Sequence, residues 1–158
     1  MSEQGIENFI GDVLAGDMQK NALEFAAYLA ASDMLFERGG GYWADKLYWR
    51  IKYKDKSVCY VLIKDASWII WSDDSGVNSF EDFSPDEHMK EIAWKHLDIC
   101  EKADRCFDGC ARGRKTIFGK EFDNVCGTAM KFENPNADTV ECMKKIMEIR
   151  KIDIIRNS

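Results

Sequence analysis

Leu47–Ser72 reads LYWRIKY, then Lys54-Asp55-Lys56, then SVCYVLIK, then Asp65-Ala66, then SWIIWS. Three short runs rich in β-branched and aromatic residues, parted by charged or small turn residues, predict an antiparallel meander. Successive strand residues alternate between faces. In the first run Leu47, Trp49, Ile51 and Tyr53 share one face, and Tyr48, Arg50 and Lys52 share the other. The second run sets Val58, Tyr60 and Leu62 against Cys59, Val61 and Ile63. The third, Trp68-Ile69-Ile70-Trp71, is apolar on both faces. The middle and third strands are therefore expected to be covered on both sides and the first to be half exposed.

Before the meander, Ile6, Phe9, Ile10, Val13 and Leu14 recur at helical spacing with Ser2 as N-cap, and Gly16 is expected to end that helix. Asp17 then caps a stronger helix with Met18, Ala22, Phe25, Ala26 and Leu29 on its apolar stripe, expected to lie on the sheet. Ser32 to Trp43, with three consecutive glycines, reads as an entry loop. After the meander, a loop runs from Asp73 to Phe83. Ser84-Pro85-Asp86-Glu87 then has the form of a capping box, opening a helix expected to run to about Lys102 with Met89, Ile92, Ala93, His96, Leu97 and Cys100 on one face. Asp104 to Lys120 reads as irregular, around a short apolar Thr116-Ile117-Phe118. Asn124 to Phe132 could add a strand, and Asn134-Pro135-Asn136 turns into a last helix with Val140, Met143, Ile146, Met147 and Ile149 inward. The fold class is α+β: one domain, an antiparallel meander of three or more strands covered by helices.

The chain has 158 residues, 46% of them hydrophobic, enough for one core without covalent staples. Its net charge of −6 argues against a whole-protein affinity for nucleic acid or anionic membrane. No export signal opens the sequence and no run reaches the roughly 20 apolar residues of a membrane span, so a cytoplasmic location is the expectation. In such a compartment the six cysteines read as core residues, metal ligands or redox groups rather than disulfides. Cys59 and Cys142 fall in apolar patterns and read as core.

Three constellations could carry chemistry. The first is Cys100, Cys106 and Cys110, with Cys126 further on and His96 one helical turn before Cys100. Thiolates and imidazole suit tetrahedral zinc, although the spacings match no zinc knuckle; the plain alternative is helix packing and unligated thiols. The second is Ala111–Lys120, ARGRKTIFGK, with four basic residues and no acid. Five residues separate Gly113 from Gly119 where a phosphate loop has four, and Glu121 stands where Ser or Thr should hold magnesium, so that reading fails. A simpler anion contact through Arg112, Arg114 and Lys115 survives beside the reading of a solvated loop. The third is aromatic: Tyr42, Trp43, Tyr48, Trp49, Tyr53, Tyr60, Trp68 and Trp71 crowd the meander. Part of this set is core, and Trp43, Trp49, Tyr60 and Trp71 are the candidates for a ligand surface. No catalytic machinery is evident; His88 falls on the polar side of its helix.

The run YWRIKYKDKSVCYVLI (48–63), followed by a tryptophan-bearing strand, resembles small bacterial α+β proteins of the MmcQ/YjbR-like and related groups. GRKTIFGKEFDNVCG (113–127) is similar to the C-terminal part of such proteins. The resemblance implies a compact α+β domain and transfers no catalytic residue. The leading expectation is a non-catalytic module binding a small ligand or a protein through the aromatic face and the basic loop. The alternatives are a zinc-binding or thiol-based regulatory protein and an enzyme acting on an anionic substrate.

Overall fold

A computed structural model describes residues 5–38, 48–64, 66–72, 85–100 and 113–156, the side chains of residues 64 and 126–129 excepted. Two helices open the chain, α1 (Ile6–Val13) and α2 (Gly16–Ala31), followed by β1 (Leu35–Arg38). The meander is β2 (Tyr48–Tyr53), β3 (Lys56–Lys64) and β4 (Ser67–Ser72). Then come α3 (Glu87–Lys95), β5 (Leu97–Ile99), β6 (Gly113–Ile117), β7 (Lys120–Glu133) and α4 (Ala137–Arg156). The described strands form a seven-stranded sheet in the order β1-β2-β3-β4-β7-β5, with β6 on β7, and each of their pairings is antiparallel. The domain is α+β, with a sheet larger than the meander alone. Among the described residues no helix is long and apolar enough to cross a membrane.

The meander forms where its periodicity places it. Lys54 and Asp55 both take positive φ (49° and 65°), the type I′ geometry that matches strand twist in a two-residue hairpin. Between Ile51↔Cys59 and Lys52↔Ser57 the register slips by one residue, so Val58 is a bulge. Val58 and Cys59 are consequently both fully buried. Arg150 of α4 secures this point: its Nε donates to Ser57 O at 3.0 Å, while its Nη1 meets the buried Asp153 carboxylate at 3.3 Å.

One face of the sheet is the core. Ile51, Cys59, Val61, Ile63, Trp68, Ile70 and Phe132 lie on it, buried against Phe25, Leu29, Val140, Met143 and Ile146 of α2 and α4. Phe25 meets Trp68 at 6.1 Å between ring centroids, and Phe9 of α1 meets Trp49 edge-on at 5.9 Å. Each such side chain contributes roughly 1.5–3 kcal/mol through the apolar area it removes from water. The two long helices are tied by polar groups as well: Tyr28 O–H donates to Lys144 O and contacts Glu148, while Lys144 Nζ pairs with Glu24 at 3.0 Å and Glu141 at 2.9 Å.

Several boundaries differ from expectation. Gly16 opens α2 rather than ending α1, because its φ of 60° lets the chain turn directly into the next helix, with Asp17 in the first turn. Leu35–Arg38, expected as loop, is an edge strand on β2. The N-cap of α3 is Asp86, whose carboxylate accepts from Met89 N at 2.8 Å; Ser84 lies outside the described residues, as do Ser2 and the Gly39–Gly41 segment. The helix stops at Lys95 instead of Lys102, since Leu97–Ile99 pairs with β7 and His96 O accepts from Lys131 N at 2.8 Å. The end of the basic segment is a hairpin: Phe118 and Gly119 (φ 50° and 85°) make a second type I′ turn between β6 and β7.

Candidate ligand-binding face

The sheet registers bring five side chains into one line. Glu37 lies opposite Arg50, Arg50 opposite Tyr60, Tyr60 opposite Trp71, and Trp71 opposite Lys131. Directly paired residues project to the same side of a sheet. The row therefore crosses β1, β2, β3, β4 and β7 on the face away from the core, in the order anion, cation, aromatic, aromatic, cation. The next row on that face is Tyr48, Leu62, Ile69 and Glu133.

Burial follows this division. Along β4, Trp68, Ile70 and Ser72 are buried while Ser67, Ile69 and Trp71 are half-buried. Tyr60 and Leu62 are half-buried beside the fully buried Cys59 and the nearly buried Val61. β3 and β4, expected to be covered on both sides, are buried on one face and only half-buried on the other. Their second face is apolar without being core. Tyr48, expected on the exposed side, is the exception: it is buried and packs on Tyr60 at 6.4 Å between centroids.

Charge surrounds the two rings. Glu37 links to Arg50 Nη1 at 3.5 Å and to Lys52 Nζ at 3.3 Å. Lys131 Nζ stands 5.6 Å from the Trp71 ring centroid, within cation–π range, and 3.5 Å from Glu133. Among the described residues, Arg50 Nε is buried with no hydrogen-bond partner. A buried donor left unpaired costs about 1–3 kcal/mol, so this guanidinium is held short of its bonding capacity.

The sequence candidates separate. Tyr60 and Trp71 come together, whereas Trp49 is buried on the core face, where Arg38 stacks over Phe9 and Trp49. Arg114 is neutralised on the hairpin by Asp123 at 2.7 Å and Glu121 at 3.6 Å, and that pairing raises its pKa further. Lys115 lies opposite Phe122 on β7 and Trp71 lies opposite Lys131, so about 20 Å or more of strand separates the basic hairpin from the aromatic row. One small ligand does not span both. Trp43 and Arg112 lie outside the described residues.

His96 and Cys100 do not share a helix face. His96 caps the end of α3, its Nδ1 bonded to Ile92 O at 2.7 Å and its ring stacked on Phe132 at 4.8 Å. Cys100 follows β5, its N–H donating to Asn124 O at 2.8 Å. The strand between them sets them about 13 Å apart rather than one helical turn. Cys106, Cys110 and the side chain of Cys126 lie outside the described residues. Among the described residues no group of three or more His, Cys, Asp or Glu side chains could hold a metal ion.

No protein-family model matches the chain, and neither a curated protein nor a solved structure matches it.

Arg50, Glu37 and Lys131 were absent from the sequence candidates. Alternation alone sets Arg50 on the face of Tyr48 and Lys52, but their alignment with Tyr60 and Trp71 depends on the Val58 bulge and on pairing between β4 and β7.

Proposed function

We propose that this domain is a non-catalytic binding module whose sheet face, built by β1 to β4 and β7, receives a flat small molecule across Tyr60 and Trp71. The observation that carries this reading is the direct register of the two rings on the face away from the core, where they are half-buried. Adjacent strands lie about 4.8 Å apart, so the two aromatic side chains are spaced to match a ligand of one or two fused rings. The flanking cations, Arg50 and Lys131, add polar contacts that fix orientation, as binding sites commonly do with a few placed polar groups.

Equilibrium dialysis against single- and double-ring aromatic compounds of either charge tests this. Wild-type protein should retain at least one of them, and Trp71→Ala should lose it while still unfolding cooperatively. Retention by Trp71→Ala, or no retention by the wild type, contradicts the reading.

A further inference from the structure

We propose that the ligand class of this face is the flat carboxylate, anchored by Arg50, and that Glu37 is an internal stand-in for that carboxylate. The inference rests on the ligand-face reading and specifies its chemistry.

The row has a direction. Its aromatic centre, Tyr60 and Trp71, is bounded by a cation on each side, Arg50 and Lys131, with a third cation, Lys52, beside Arg50 on β2. Glu37 is shared by Arg50 and Lys52, and Glu133 stands beside Lys131. These three cations against two carboxylates leave this face net positive in a chain carrying −6 overall, which complements an anion. A guanidinium has five N–H donors in a planar fork suited to a carboxylate. Arg50 uses that fork poorly: Nη1 reaches Glu37 at 3.5 Å, well beyond the 2.7–2.9 Å of a strong charge-assisted bond. Its Nε, the other donor of a side-on carboxylate bond, is buried and has no hydrogen-bond partner among the described residues. Glu37 is half-exposed and shared between Arg50 and Lys52, so it holds neither cation tightly.

A carboxylate lying over Tyr60 would displace Glu37 toward solvent and, as the Arg50 side chain turns to bring its buried Nε out, take both Nε and an Nη, setting its ring across Tyr60 and Trp71. No bond is made or broken in this exchange; one carboxylate replaces another. Lys131, above Trp71, would meet a second anionic group on a longer ligand.

The test uses three isosteric probes, benzoate, benzamide and benzamidine, followed by the Arg50 Nε–H and Trp71 indole NMR signals of the full chain. Benzoate should shift both signals saturably, and benzamide and benzamidine should bind about tenfold more weakly or less. Glu37→Gln should tighten benzoate about two- to fivefold by removing an exposed competing anion. Arg50→Gln should weaken it about tenfold or more, and Arg50→Lys, which keeps the charge and the fold but not the fork, should fail to restore it. Equal binding of all three probes over Trp71 leaves the ligand-face reading standing and overturns this inference. An unchanged or weaker affinity in Glu37→Gln also overturns it. If no probe moves Trp71, both fall.

Discussion

Tyr60 and Trp71 stand directly opposite each other on β3 and β4, on the face away from the core cluster, while their neighbours Val61 and Ile70 pair into the core. The two faces of the same strands thus have different duties, which separates stability from binding residue by residue.

Trp68 and Trp71 differ by three positions and should differ sharply in energetic weight. Trp68 is 1% exposed and packed on Phe25; Trp68→Ala should destabilise the domain by about 3–5 kcal/mol, as for other buried aromatic truncations. Trp71→Ala should cost less than half of that. Urea titration of the two variants checks it, and equal losses would place Trp71 in the core.

The exposed His88 imidazole is bonded through Nε2 to Asp138 at 2.5 Å, joining α3 to the first turn of α4. That hydrogen bond, and then the charge of Asp138 with smaller contributions from Asp86 and Glu91, raises the His88 pKa above its ordinary value. A group whose pKa is raised on folding adds stability fully present below the unfolded value, about 6.5, and lost as pH rises through the folded value. The melting temperature should therefore fall over that window more steeply in wild type than in His88→Gln. Superimposable pH profiles would show that the pair contributes nothing.

Native thiols should react in a fixed order. Burial pushes the Cys142 thiol up to about 12, and Cys59 is fully buried. Thiolate is the reactive form, so neither should be alkylated before the domain opens, whereas the half-buried Cys100 should be modified in native protein. Peptide mapping after brief iodoacetamide treatment reads this; early labelling of Cys142 would contradict the packing of α4 on α3.

The β2–β3 turn leaves room for improvement. Lys54 and Asp55 both hold positive φ, a conformation that L-residues other than Asn and Asp adopt at a cost of about 1 kcal/mol. The double change Lys54→Asn and Asp55→Gly should raise stability by about 1 kcal/mol through a turn sequence suited to type I′. A loss measured by thermal unfolding would mean that the Lys54 side chain, near the Tyr53 ring, matters more than the backbone.

The meander, the Phe25 helix and the last helix were legible because each rests on a local period: alternation in 47–72, and a 3.6-residue stripe in Phe25–Leu29 and Val140–Ile149. The β5 strand was not. Leu97 and Cys100 continue the apolar spacing of α3, and it is pairing of Leu97 with Met130 and Ile99 with Val125 that makes the segment extended. The β6–β7 hairpin hid behind Phe118, a residue that seldom signals positive φ. Tyr60 and Trp71 were visible as aromatic residues on strands, but their alignment with Arg50 required the Val58 bulge. Lys131 required a strand distant in sequence, and no local pattern encodes that register.

Ligands should meet the Tyr60–Trp71 face and not the helix-covered one. Selective 15N-tryptophan labelling, with indole signals assigned by single Trp→Phe variants, measures this directly during titration with benzoate. The account predicts a saturable shift of the Trp71 indole with the Trp49 and Trp68 indoles unmoved. A shift at Trp49 or Trp68 with Trp71 silent would contradict it.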